Sequence, residues 1–212
     1  LINTVLDIAK IEAGHMDVQA SAFEIKPIIE LVGTTVQPLI RSNKVKLIGD
    51  VAENIPLLHT DQDKLKQILL NLLSNAAKFT HKGSISVHAR TTGENLIVDV
   101  KDTGIGVSPA ALERIFEEFQ QADTSTTRQY GGTGLGLAIS RSMARLLGGD
   151  LYATSQEGVG STFTLVIPLQ YQNQPPTAVK TPLKVEVNQD ASLRDQTILV
   201  IDDHPHAISL MR

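Results

Sequence analysis

Two strand-length runs, Ser84 to Thr91 and Leu96 to Lys101, flank a turn at Gly93-Glu94 and follow directly on a helix-period segment near Gln62 to Phe79. That order constrains the fold more than any other feature of the chain. Strands joined by so short a turn pair antiparallel. The neighbouring helix carries Leu65, Leu69, Leu72 and Ala76 as one apolar stripe, which has to be buried against a sheet or another helix. The spacing predicts further elements: a helix near Pro27 to Ser42, a strand Val45 to Asp50, a helix Gly134 to Leu147, and strands near Leu151 to Thr154 and Ser161 to Pro168. Consecutive strands beside helices predict an α+β fold in which a largely antiparallel sheet is covered on one side.

With 212 residues, 42% of them apolar, the chain has enough hydrophobe for a sizeable core. Nineteen Lys and Arg against 23 Asp and Glu leave a net charge of -4, so nucleic acid is not an expected partner. The absence of cysteine excludes a disulfide framework, a thiolate zinc site and a cysteine nucleophile. No window approaches the roughly 18 apolar residues of a membrane span, so no membrane contact is expected for these residues.

The ends read differently from the middle. Ile2, Val5, Leu6 and Ala9 recur at helical spacing up to Gly14, a C-cap candidate, which predicts the last turns of an amphipathic helix over 1–14. Residues 171–196, rich in Gln, Asn and Thr with Pro175, Pro176 and Pro182, read as a linker. Ile198 to Ile201 reads as a buried strand and Ala207 to Arg212 as the start of a helix. The opening Leu1-Ile2-Asn3-Thr4 has neither an initiator Met nor a signal-peptide start, so the chain is expected to be a piece of a longer protein.

Asn71, Asn75 and Lys78 cluster on one face of the helix near Gln62 to Phe79, about 100–150° from its apolar stripe. Asn is a middling helix former that competes for backbone hydrogen bonds, so two of them beside a Leu-rich surface invite a functional explanation. Asp102 closes a strand and leads into Thr103-Gly104-Ile105-Gly106, a turn that admits close ligand approach. The run Gly131-Gly132-Thr133-Gly134-Leu135-Gly136-Leu137 opens a helix, and a glycine-rich helix start seats anions. It is neither a Rossmann fingerprint nor a P-loop. Between Phe119 and this helix lies a polar segment whose one cation, Arg128, suits a phosphate; such a segment serves as a lid.

Together these segments resemble the ATP-binding domain of sensor histidine kinases, part of the wider gyrase, chaperone and mismatch-repair ATPase fold. Asp63 to Thr80 is similar to the N box and Asp102-Thr103-Gly104-Ile105-Gly106 to the first glycine box. Phe116-Glu117-Glu118-Phe119 is similar to the F box, Gly132 to Leu137 to the second glycine box, and Gly158 to Phe163 to the third. The five motifs stand in family order across roughly Phe23 to Leu169. Residues 1–14 resemble the end of the second dimerisation helix, and Thr197 to Arg212 the opening of a response-regulator receiver domain.

The resemblance implies a two-layer α/β sandwich of the histidine-kinase ATPase (Bergerat) type over 20–170, preceded by the end of a dimerisation helix and followed by a linker and a truncated receiver start over 197–212. It implies ATP and Mg²⁺ as cofactors, with Asn75 ligating Mg²⁺ and Asp102 accepting from the adenine amine. Asn71 and Lys78, the catalytic candidates, would face the phosphates. Gly104, Gly106, Arg128, Gly132, Thr133, Gly134, Leu135, Gly136 and Leu137 would line the nucleotide, and Thr162 would close over the adenine. Asp202 and Asp203 would hold a second Mg²⁺ in the receiver. An amide at Asn71, where the hydrolase relatives have a glutamate, is no general base and favours transfer to an imidazole over hydrolysis. None of the six histidines has the family's acceptor neighbourhood, so the phosphoacceptor is expected upstream, on dimerisation helices that pair in a cytoplasmic homodimer. The rival readings are a nucleotide-dependent regulatory module without phosphotransfer and a water-directed ATPase.

Overall fold

A computed structural model describes residues 10–11, 13, 15–40, 42–117 and 134–172, all within one compact unit, Leu1–Pro176. The elements in chain order are β1 (Ala20–Phe23), α1 (Ile25–Val36) with a 3₁₀ turn over Gln37–Leu39, β2 (Val45–Val51), β3 (Leu58–Asp61) and α2 (Gln62–Phe79). Then come β4 (Gly83–Thr92), β5 (Asn95–Asp102), the short α3 (Pro109–Leu112), α4 (Gly136–Leu146), β6 (Asp150–Gln156) and β7 (Gly160–Pro168). The main sheet has the order β2-β4-β5-β7-β6, antiparallel throughout except for the parallel pair β2-β4.

Period-2 alternation divides this sheet cleanly. Ile85, Val87 and Ala89 on β4, Leu96, Val98 and Val100 on β5, and Phe163, Leu165 and Ile167 on β7 are buried beneath the helices. The opposite face carries Asp50 3.0 Å from His88, the Arg90–Asp99 ion pair, and Thr164 donating to Asp99 at 2.7 Å. This is the expected α+β arrangement, one face dry and one wet.

Helix α2 owes its position to both ends and its stripe. Asp61 caps it, its carboxylate accepting from the Lys64 N–H at 3.0 Å, while Asp63 in the first turn and Lys78 in the last complement the helix dipole. Leu65, Ile68, Leu69, Leu72, Leu73, Ala76 and Ala77 are buried, each Leu or Ile contributing about 1.5–3 kcal/mol. Helix α1 buries Ile25, Ile28, Ile29, Val32 and Val36 in the same core.

Three differences from the sequence expectations have local causes. Helix α1 ends at Val36 rather than Ser42, because Pro38 has no N–H to continue the helical hydrogen-bond ladder and the chain tightens into the 3₁₀ turn instead. Helix α4 starts at Gly136, since Gly134 at φ +70° lies outside right-handed helical space. The small antiparallel sheet β1-β3, pairing Ala20 with Asp61 and Phe23 with Leu58, was not anticipated; strands of four residues carry too little periodicity to be read.

Near the start, Lys10 and Ile11 are helical and the His15 N–H returns to the Lys10 carbonyl at 2.8 Å, the six-to-one bond of a helix terminus. Ile11 packs on the core. Residues 1–9, 12 and 14 of the expected first helix, and the linker and receiver expectations over 173–212, lie outside the described residues. No helix among the described residues is long and apolar enough to cross a membrane.

Candidate nucleotide-binding site

Strand β5 delivers Asp102 to the end of the sheet on the helix-covered face, where only 6% of the residue is exposed. Its Oδ1 accepts from the Gly104 N–H at 2.8 Å, and the Ser161 N–H and hydroxyl donate to the same carboxylate. Burial raises the pKa of this carboxyl, and the three donors only partly pull it back. The β5-β7 register pairs Asp102 with Ser161 and Lys101 with Thr162. A strand reverses its side chains at every residue, so Ser161 joins Asp102 while Thr162 points to the opposite, wet face. Of the two third-box residues it is thus Ser161 that meets the Asp102 carboxylate, while both Ser161 and Thr162 border the cavity at this end.

The turn after Asp102 lies against the β6-β7 hairpin. The Gly158 N–H donates to the Ile105 carbonyl at 2.7 Å, and the Val107 N–H donates to Ser155 Oγ at 2.8 Å. Gly106 adopts φ +69°, and a Cβ there would fall 2.1 Å from the Gln156 carbonyl oxygen. Only glycine meets both conditions. Ser155, Ser161, Asp102, Gly160 and Val159 line a cavity of about 290 Å³ at this end.

The second half of the site lies between α2 and α4. Asn71, Asn75 and Lys78 share one partly buried face of α2. Asn71 Nδ2 donates to Ser140 Oγ on α4 at 2.9 Å, and Ser140 is itself buried. Gly136 abuts Asn71 so closely that a Cβ would lie 2.5 Å from Asn71 Oδ1. The first turn of α4 is thus pressed onto the asparagine face. Lys78 Nζ sits 4.8 Å from the centre of the Phe79 ring, and burial lowers its pKa.

Leu135 is fully buried, so it presents only backbone to a ligand, and Leu137 is partly buried against the core. Gly104, Gly106, Gly134 and Gly136 stand in the described site, whereas Arg128, Gly132, Thr133, Asp202 and Asp203 lie outside the described residues. Sequence reasoning missed Ser140, Ser155 and Ser161. A serine directly after the second glycine of the third box and one a turn into α4 were the available signals, each too common to single out.

Among the described residues no three His, Asp or Glu side chains gather to cage a metal. Mg²⁺ does not need such a cage, since it binds through one or two protein oxygens with phosphates and water completing the octahedron. The Asn75 amide, partly buried on the same face as Asn71, offers a donor of the required kind.

Comparison with known proteins agrees with this geometry. Residues 60–171 match the family described as histidine kinase-, DNA gyrase B- and HSP90-like ATPase. The chain is 36% identical over 99% of its length to the autoinducer 2 sensor kinase/phosphatase LuxQ of Vibrio harveyi, covering 25% of that protein. It is 37% identical over 97% of its length to the sensor protein TorS of Escherichia coli, covering 22% of it. The circadian input-output histidine kinase CikA of Synechococcus elongatus is 40% identical over 82% of the chain and 24% of the relative. The chain therefore spans about a quarter of the length of these relatives. Among solved structures, full-length ShkA in complex with AMPPNP is similar at 31% identity and TM-score 0.71, covering 82% of this chain and 36% of that one. The nucleotide-free catalytic domain of the histidine kinase ThkA follows at 25% identity and TM-score 0.62, over 72% and 97%. A family match over more than half of the chain, on a fold shared with histidine-kinase catalytic domains, shows that this chain belongs to the histidine kinase-, DNA gyrase B- and HSP90-like ATPase family and carries its ATP-binding domain in the histidine-kinase form.

Proposed function

We propose that this chain is the catalytic part of a hybrid sensor histidine kinase, binding MgATP and passing the γ-phosphoryl group to a histidine on separate dimerisation helices. The observation that carries the reading is the buried Asp102 carboxylate, held by Gly104 and Ser161, at one end of a site whose other end is the asparagine face of α2. Asp102 accepts the exocyclic amine of adenine. Asn75 lends its amide oxygen to Mg²⁺, which when bound neutralises phosphate charge. Asn71 and Lys78 face the phosphates, with backbone N–H groups of the second glycine box and Arg128 completing the cradle. The bond from the γ-phosphorus to its bridging oxygen breaks, ADP leaves, and a P–N bond forms to the acceptor imidazole. Catalysis consists of positioning and charge neutralisation.

A neutral amide at Asn71 cannot take a proton from water, which supports transfer over rapid hydrolysis. In this reading residues 1–14 end the second dimerisation helix of a homodimer, 171–196 form a linker, and 197–212 open a receiver in which Asp202 and Asp203 hold Mg²⁺. The kinase core works on the cytoplasmic side, where ATP is available.

The test joins the chain to a helix pair bearing the acceptor histidine and follows label from γ-labelled ATP. Acid-labile phosphate on histidine is expected, with slow phosphate release from the chain alone. Tight ATP binding without transfer would instead assign a regulatory module. Steady phosphate release, little changed by Asn71→Glu, would assign a water-directed ATPase.

A further inference from the structure

Ser155 lies near the end of β6 and forms no part of the glycine boxes, yet its hydroxyl joins three segments of the adenine end. It accepts from the Val107 N–H at 2.8 Å, donates to the Gly160 carbonyl at 2.9 Å, and lies 3.0 Å from Ser161 Oγ. Ser161 in turn donates its N–H and hydroxyl to Asp102. Two hydroxyl hydrogens therefore serve three acceptors: the Asp102 carboxylate, the Gly160 carbonyl and the neighbouring serine oxygen. When the Ser161 hydrogen is on Asp102 and the Ser155 hydrogen is on the Gly160 carbonyl, the two serine oxygens face each other with no hydrogen between them and none to spare.

The same count applies to the carboxylate. It has roughly four acceptor positions, and Gly104 N–H, Ser161 N–H and Ser161 O–H take three of them. What remains is one acceptor position and no donor. A purine with an amine at carbon 6 donates into it, whereas a carbonyl at carbon 6 would set acceptor against acceptor in a dry pocket. A site built for one polarity in this way rejects the other strongly.

We propose that Ser155 is a positioning residue for base selection: it holds the Ser161 hydroxyl on Asp102 and the Gly104–Val107 turn in place, so that the pocket admits a 6-amino purine and rejects a 6-oxo purine. The inference rests on the reading of Asp102 as the base-recognising carboxylate. Without the Ser155 oxygen, the Val107 N–H loses its acceptor and the Ser161 hydroxyl is free to turn from Asp102 towards an incoming carbonyl. Selectivity then falls further than affinity.

Calorimetric titration of the 212-residue chain with ADP and with GDP tests this. Ser155→Ala is expected to lose about tenfold of the ADP-over-GDP preference, and Ser155→Thr, which keeps the hydroxyl, to stay within about twofold of the parent. An unchanged preference in Ser155→Ala overturns the proposal. So does an equal loss in the Ala and Thr variants accompanied by an equal drop in melting temperature, which would mark simple packing. If Ser155→Ala does not fold, Ser155→Cys, a weaker donor of similar size, carries the same comparison and the same overturning result. Asp102→Asn separates the two layers. If it binds ADP like the parent, the placement of the base fails and this proposal with it; if it loses ADP while Ser155→Ala keeps its preference, only the role of Ser155 fails.

Discussion

The two ends of the site are built on different principles. At the adenine end, Asp102, Gly104, Val107, Ser155 and Ser161 come from strand termini and turns tied by backbone hydrogen bonds, and each strand position is set by a ladder shared with its neighbours. At the phosphate end, Asn71, Asn75 and Lys78 come from one helix, and among the described residues Asn71 meets α4 through an amide-to-hydroxyl bond and a glycine contact. The first arrangement is preorganised by the fold itself. The second depends on how one helix is seated on another, which a small shift alters, because interatomic packing at this distance leaves no slack.

This contrast is open to attack at several points. The largest expected effect is at the phosphate end, where Asn75→Ala should abolish the Mg²⁺-dependent part of ATP affinity while leaving the melting temperature almost unchanged. Calorimetry with and without Mg²⁺ checks this, and equal affinities would remove Asn75 from the metal. Next, Gly136→Ala places a methyl group 2.5 Å from Asn71 Oδ1, so either the Asn71 amide or α4 has to move. A displacement of this kind costs about a hundredfold in phosphotransfer rate, measured in single-turnover assays, again with little loss of stability. At the adenine end the analogous change behaves differently. Gly106→Ala combines φ +69° with a 2.1 Å approach to the Gln156 carbonyl, and it should lower unfolding free energy by about 1–3 kcal/mol as well as weaken binding, read from denaturant melts. Equal stability losses in the two glycine variants would erase the distinction between the ends.

Acidity gives a smaller and more selective probe. Burial raises the Asp102 pKa, so the folded chain takes up this proton at a higher pH than the unfolded one. Falling pH therefore relieves a cost to folding at Asp102, yet the same protonation removes the acceptor for the base. Asp61 and Asp150 run the other way. Burial alone would raise them, but Lys64 and Gln19 at Asp61, and Arg141, Leu151 and Arg145 at Asp150, outweigh it and hold both pKa values down. Their support is present above the ordinary carboxylate range and is lost only as pH falls through the lowered values. Adenine-nucleotide affinity should thus decline on acidification before the fold does, as paired binding and melting curves would show. The smallest effect is expected at Asp150→Asn, which weakens partly exposed pairs with Arg141 and Arg145 worth about 1 kcal/mol or less. Nucleotide binding should not change.

Much of the framework is legible in the residue order. The α2 boundaries predicted from periodicity coincide with Gln62–Phe79, and the β4-β5 hairpin forms around Gly93 as its turn chemistry requires. Asn71, Asn75 and Lys78 fall on one face because a helix repeats every 3.6 residues, a rule that needs no knowledge of distant parts. Thr162 shows where such reading stops. Which of two adjacent strand residues faces the pocket depends on registration against β5, and a slip of one position exchanges the faces.

The chain's order of residues by itself determined the longer helices and strands and the glycine positions where the backbone must turn, since these follow from short-range sterics and periodicity. Only the tertiary structure decided that Ser161 rather than Thr162 serves Asp102, that Ser140 meets Asn71 across 69 positions, and that Ser155 joins two turns. Hydroxyl groups are compatible with water, loop or pocket alike, so nothing local marks the few whose partners are brought to them by the packing of distant segments.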